Sequence, residues 1–251
     1  MRTGHANLAV YRHATRQEMG DHAAAMVAAT ILNLLKQKEI INIVFAAAPS
    51  QNELLASLVK KTIEWDRIQA FHMDEYIGLK QGATQTFRHY LDEHIFNVVP
   101  FRNVNYLDGH APDVNKECQR YAELLKNNRT DIVCMGIGEN GHIAFNDPHV
   151  ADFEDKKDVK VVELDEVCRQ QQVNDGCFES LEQVPTRALT LTIPALVRAD
   201  YIYCVVPGPK KAQAVFNTLN QDVHPDYPST ILRMHRNASL FLDDDSARLI
   251  N

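Results

Sequence analysis

The stretch Asp131–Pro148, DIVCMGIGENGHIAFNDP, decides how the chain is read. Ile132–Met135 is an apolar run of strand length. It breaks into Gly136-Ile137-Gly138, and Asn140, His142 and Asp147 follow at once. Gly136, Gly138 and Gly141 allow tight turns and a close approach of backbone to ligand. A buried strand that ends in glycines and polar side chains is where open α/β sheets place their chemistry. Histidine is the side chain whose unperturbed pKa lies nearest neutrality, so His142 reads either as an acid/base group or as a plain surface histidine. The neighbouring strand ends decide between them.

Working upstream, Leu8–Tyr11 reads as a first strand, and Thr15-Arg16-Gln17-Glu18 has capping-box spacing for a helix to about Lys38. Ala25, Ala28, Ala29, Leu32 and Leu35 form its apolar stripe, a packing feature. Ile40–Phe45 is a strand, followed by Ala46-Ala47-Ala48-Pro49-Ser50 and a second capping box, Ser50–Glu53, opening a helix to about Lys61. Strand, turn and helix N-terminus make an anion site, which nominates Ala47, Ala48 and Ser50. Arg67–Met73 is the next strand and delivers Asp74 at its end. Thr84–Val98 reads as a helix, Asn103–Leu107 as a strand, and Pro112 stands near the start of a helix to about Asn127.

Downstream, strands are expected at Val159–Leu164, Ala188–Ile193, Tyr201–Val206 and Ala238–Leu242. The polar segment around 165–183 reads as a helix and loop, equally a lid over the site or a surface insertion. Lys211 follows the Tyr201–Val206 strand, and Ser229–His235 helps to close the chain. Alternating strands and helices predict an α/β fold in one domain over residues 1–251, a mostly parallel twisted sheet with helices on both faces. Right-handed crossovers put the carboxyl ends of parallel strands on one edge. That edge collects Ser50, Asp74, the Asn140–Asp147 loop and Lys211, a coincidence that packing alone does not explain.

Composition narrows the chemistry. With 251 residues and a formal charge of −7, the chain is large enough for a full core and poorly suited to nucleic acid or an anionic membrane. Five dispersed cysteines form no CxxC pair, which argues against zinc and against a disulfide framework. The N-terminus lacks a signal-peptide apolar core, and no apolar run reaches the ~18 residues of a membrane span, so a cytoplasmic location is expected. No Walker, GxGxxG or GxSxG pattern occurs. His142 and Asp147 lie five apart with no further metal ligand evident, so no metal and no cofactor are expected. Proton chemistry remains. Asp74 suits a carboxylate base, His142 an acid/base, and Asp147 a group that orients and charge-stabilises the imidazole. Lys211 suits a phosphate.

The segments FHMDEYIGL (71–79), VNYLDGHAPDVNKECQRY (104–121), MGIGENGHIAFNDP (135–148), VPTRALT (184–190) and VPGPKKAQAV (206–215) resemble the glucosamine-6-phosphate deaminase/isomerase family. That family shares its fold with 6-phosphogluconolactonases, and the AFNDP ending favours the deaminase branch. The resemblance spans nearly the whole chain. It implies a cofactor-free reaction on a small sugar phosphate: ring opening, C2-to-C1 proton transfer and loss of ammonia to give fructose 6-phosphate. Asp74 would be the proton-transfer base, His142 the ring-opening acid/base, Asp147 its supporting carboxylate and Lys211 a phosphate ligand.

The chain departs from the family pattern at four places. Asn140 stands in the loop that usually reads Asp-Gly-His; an amide orients an imidazole but does not stabilise its charge. Asp147 is one methylene shorter than the usual Glu. The glycine-rich phosphate turn is Ala46–Ser50 here, and Pro49 removes an N–H donor. The lid arginine has no clear counterpart in CRQQQVNDG; Gln172 falls near its place, and Arg169 lies one helical turn earlier. Asn140 and the glutamine-rich lid are also similar to the galactosamine-6-phosphate branch, so the sugar stays open, as does a lactonase or a non-catalytic sugar-phosphate binder. Nothing after Pro148 matches an allosteric amino-sugar site, so no such activation is expected. Family members range from monomers to hexamers, which leaves a homo-oligomer open.

Overall fold

A computed structural model describes residues 2–5 and 7–250. In chain order the elements are β1 (Arg2–His5), β2 (Leu8–His13), α1 (Arg16–Leu35), β3 (Ile41–Phe45), α2 (Asn52–Leu58) and β4 (Ile68–His72). Then come β5 (Asp74–Tyr76), α3 (Phe87–Leu91), β6 (Asn103–Asn105), α4 (Val114–Asn127), β7 (Ile132–Met135) and β8 (Val159–Glu163). The chain closes with α5 (Glu166–Asn174), β9 (Arg187–Leu191), α6 (Ile193–Val197), β10 (Tyr201–Val206), α7 (Ala212–Asn220) and β11 (Ala238–Asp243).

Eight strands form the main sheet in the order β1-β2-β11-β10-β7-β3-β4-β6. All its pairings are parallel except β1 with β2. β7 lies at the centre, with Ile132 in register with Tyr201 of β10 and Ile43 of β3. Strand side chains alternate between the faces. Ile41, Ile43, Phe45, Ile132, Cys134, Tyr203 and Val205 join Met19, Val27, Ile31 and Leu54 of α1 and α2 in one core. Val44, Val133, Met135, Ile202, Cys204 and Val206 meet Tyr121, Leu125, Leu196 and Val215 of α4, α6 and α7 in the other. The fold is therefore the expected α/β sheet covered on both faces. No helix among the described residues is long and apolar enough to cross a membrane.

Several expectations change. The strands near 159–164 and 188–193 leave the main sheet and pair with Asp74–Tyr76 in a separate antiparallel sheet, β5-β9-β8. Period-two alternation marks a strand but not the sheet it joins. β1, an antiparallel partner to β2, precedes the strand read as the first. α1 stops at Leu35, and α2 begins at Asn52, after a 3₁₀ turn at Pro49–Gln51. Ser50 therefore caps nothing, because the fixed φ of Pro49 tightens the turn. Thr86 caps the short α3, which widens into a π turn over Asp92–Phe96 and does not run on from Thr84 to Val98. Asp113 caps α4, accepting from the N–H groups of Asn115 and Lys116, and Pro112 stands just before it, near the helix start as expected.

Candidate active site

The carboxyl ends of β3, β4, β7 and β10 and the helix α5 surround one cavity. Asp74, His142, Ala47, Ala48, Ser50, Gln172 and Lys211 all line it. Asn140 and Asp147 stand behind His142.

The loop after β7 holds the imidazole from three sides. The Asn140 Oδ1 accepts from the His142 backbone N–H at 3.0 Å, while its Nδ2 donates to Asp147 Oδ1 at 2.9 Å. The His142 Nδ1 lies 2.9 Å from the same carboxylate oxygen, at ion-pair range but off the N–H axis of a good hydrogen bond. On the ring's other side, a Cβ on Gly138 would fall within 2.4 Å of Cε1, Nε2 and Nδ1. Only a glycine leaves the ring that space. Burial alone would raise the Asp147 carboxyl, but the His142 ring and donors from Asn140 and Cys168 outweigh it and hold the carboxyl below its ordinary range. Cys168 was not evident in the sequence as a companion of this pair; burial pushes its thiol up, so it stands beside Asp147 as a neutral donor.

Ala144 takes φ 48° in the cavity wall, a left-handed conformation that costs an L-residue roughly 1–2 kcal/mol. The loop is braced against that strain by the small sheet. Phe145 N–H donates to Thr190 Oγ1 at 3.0 Å, and Asn146 Nδ2 donates to Leu191 O at 2.8 Å. Thr190 is also the register partner of Asp74. One residue of β9 thus links the two groups read as base and acid.

Strand alternation in β5 sends the acids to different places. Asp74 faces the cavity, whereas Glu75 accepts from the backbone N–H groups of Tyr76, Phe87 and Arg88 at the start of α3. Burial, with a smaller contribution from the Glu75 charge, raises the Asp74 carboxyl well above the usual range. A raised proton affinity is what a carboxylate base for carbon acids requires. Burial also raises Glu75 to about 7, against the pull of its three donors. His72, held near 4 by burial, is a neutral strut between the Asp74 carbonyl and the Leu107 N–H.

The anion side differs. Lys211 ends a 3₁₀ turn entered through Gly208, whose φ of 92° suits glycine and whose N–H is held by Asp243. Its ammonium group is largely buried, with no hydrogen-bond or ion-pair partner among the described residues. Burial lowers its pKa, while the more distant Asp175 and Glu139 pull it up. A buried, unpaired cation is a receptor for an anion. Opposite it, Gly136 packs closely on Ser50 in the Ala46–Ser50 turn.

One candidate is displaced. Arg169 is absent from the cavity; its guanidinium donates to Leu181 O at 2.6 Å and Val184 O at 3.0 Å, tying down the segment after α5. The buried face of α5 is Cys168, Gln171 and Gln172, and residue 169 falls about 100° away on the helix. The reading also missed Arg16, Gln171 and Asp175, which line the cavity. Gln171 accepts from the Glu139 N–H at 2.7 Å and so pins α5 to the histidine loop. Polar Gln171, Gln172 and Asp175, which share one helical face with Cys168 where a packing face would be apolar, were the available signal.

Fold and cavity define an open α/β protein whose sheet edge gathers a carboxylate, an imidazole and a lysine in one cavity. A profile described as glucosamine-6-phosphate isomerases/6-phosphogluconolactonase matches residues 14–241, and the chain belongs to that family. It is 32% identical over 238 residues to a glucosamine-6-phosphate deaminase of Clostridium acetobutylicum, covering 93% of this chain and 96% of the relative. A glucosamine-6-phosphate deaminase of Clostridium novyi is 33% identical over 235 residues, with 92% and 95% covered. Among solved structures, a monomeric glucosamine-6-phosphate deaminase superposes with a TM-score of 0.86 at 28% identity, covering 96% of this chain and 99% of that one. The 6-phosphogluconolactonase of Thermotoga maritima shares the fold, with a TM-score of 0.76 at 20% identity over 94% and 99% of the two chains.

Proposed function

We propose that this protein is an amino-sugar-phosphate deaminase that converts glucosamine 6-phosphate and water to fructose 6-phosphate and ammonia. The observation that carries the proposal is one cavity holding a carboxylate of raised proton affinity, a buried imidazole and an unpaired buried lysine. The phosphate would sit between Lys211 and the Ala47–Ser50 turn. His142, oriented by Asn140 and supported by Asp147, would move the proton between the ring oxygen and the C1 hydroxyl as the pyranose opens. Asp74 would take the C2 proton and return it at C1. The resulting C2 imine adds water and releases ammonia. Ring opening, isomerisation and imine hydrolysis are each assisted by proton transfer, which these residue types perform unaided. Sugar phosphates are charged and do not cross bilayers, so the proposed enzyme would work in the cytoplasm.

Ammonia release from glucosamine 6-phosphate and galactosamine 6-phosphate, assayed side by side at neutral pH, tests the proposal. Turnover of the first is expected. Turnover of the second alone would mark Asn140 and Gln172 as determinants of sugar configuration. Silence with both would refute the deaminase reading.

A further inference from the structure

A sugar phosphate carries about −1.5 to −2 charges at pH 7, and Lys211 supplies at most one compensating charge. The lid brings no second cation. Gln171 and Gln172 are neutral, Asp175 is an acid, and the Arg169 guanidinium is committed to main-chain carbonyls outside the cavity. The start of α1 does bring one. Arg16, the first residue of α1, lines the cavity beside the Ala46–Ser50 turn. Its Nε and Nη2 donate to the two Glu53 carboxylate oxygens at 3.0 Å each, and Nη2 also donates to Pro49 O at 3.0 Å. Nη1 has no partner among the described residues, and the side chain keeps 42% of its exposure. A guanidinium has five N–H donors in a fixed fork, so its unengaged arm remains for a ligand. The placement is built into the fold: a Cβ on Gly20 would come within 2.4 Å of Glu53 Cβ, so α1 and α2 touch at a glycine.

We propose that Arg16 is a second phosphate-binding cation of this site, offering Nη1 to the anion while Glu53 and Pro49 hold the rest of the guanidinium. The inference rests on the sugar-phosphate reading above. It assigns the missing positive charge to the first helix and not to the lid.

Calorimetric binding of inorganic phosphate to the whole chain tests it without catalysis. Arg16→Ala is expected to weaken phosphate at least about tenfold, as loss of a charge-assisted hydrogen bond does. Adding Gln172→Arg to that variant should recover part of the loss, because it returns a guanidinium from the facing wall. Glu53→Gln keeps the Arg16 charge and should not weaken phosphate. Wild-type affinity in folded Arg16→Ala overturns the proposal. So does equal weakening by Glu53→Gln, which would make the pair a scaffold, and so does a wild-type protein that binds no phosphate. Should Arg16→Ala not fold, Arg16→Gln, which can still bond Glu53, is expected to show the same loss; unchanged affinity there overturns it. Phosphate binding that depends on Arg16 without turnover of either amino sugar would sink the deaminase reading and leave this inference standing.

Discussion

The two sides of the cavity are built on opposite principles. Around His142 the protein supplies its own partners: an amide that bonds both loop and carboxylate, an acid against the imidazole, and a glycine behind the ring. Around Lys211 it leaves a buried cation without one. The first side is geometry completed before any ligand arrives, as proton transfer over short distances demands. The second stores an unfavourable desolvated charge that an anion relieves on binding. The difference teaches where substitutions should act, on the rate for the first and on affinity for the second.

The largest effect is expected at Asp74, which sits between the two sides. Asp74→Asn should lower turnover by about 10³-fold, within the range for a removed general base, and abolish deuterium exchange at C2. It also has a stability signature. The folded carboxyl is raised, so its contribution to stability is present below the unfolded pKa and is lost as pH rises through the folded value. The asparagine variant escapes that loss, so its Tm should gain on the wild type as pH increases from about 4. A constant gap would argue against a raised Asp74.

Gly138→Ala tests the prebuilt side directly. The new Cβ must push the ring from its place, and kcat should fall on the order of 10²-fold with KM changed far less. An unchanged kcat would mean that the ring position seen here is not the working one.

Lys211→Met tests the unfinished side. KM for the phosphorylated sugar should rise roughly 10–100-fold, the worth of a charged hydrogen bond, while Tm at neutral pH increases because a buried unpaired charge is gone. A lower Tm would show that Lys211 has a structural partner after all. In the wild type, KM should climb at alkaline pH earlier than an ordinary lysine would cause, since burial lowers the pKa of Lys211.

The smallest effect is expected from Asn140→Asp, which sets a second carboxylate where an amide now donates to Asp147 at 2.9 Å. Two acids at that distance do not both ionise, so one pKa rises. The pH–rate profile should shift toward alkaline pH, with kcat at its optimum within about tenfold of wild type. An unmoved profile would show that the residue 140 side chain does not face Asp147 during turnover.

Much of this was legible in the chain alone, for identifiable reasons. The β7 run and its glycines mark a central strand end because full burial demands unbroken apolar sequence there. Asp74, His142, Lys211 and the turn before Ser50 follow from one rule, that parallel strands open at their carboxyl edge. The same rule applied to β2 would have nominated Arg16, which instead read only as part of a capping box. Arg169 failed as a site residue because one position on a helix turns a side chain by about 100°. The strands of the small sheet were visible, but not that β9 would carry Thr190 between Asp74 and the histidine loop.

The α/β alternation, the strand-end chemistry and the residue types available for proton transfer are written in the chain alone, because they rest on local periodicity and on short spacings along it. Which strands left the main sheet, which face of α5 covered the cavity, and that Lys211 remained unpaired among the described residues while Arg16 joined the cavity lining were settled by the packed fold. Those outcomes depend on contacts between segments far apart in sequence, where packing and burial select the partner and local pattern does not.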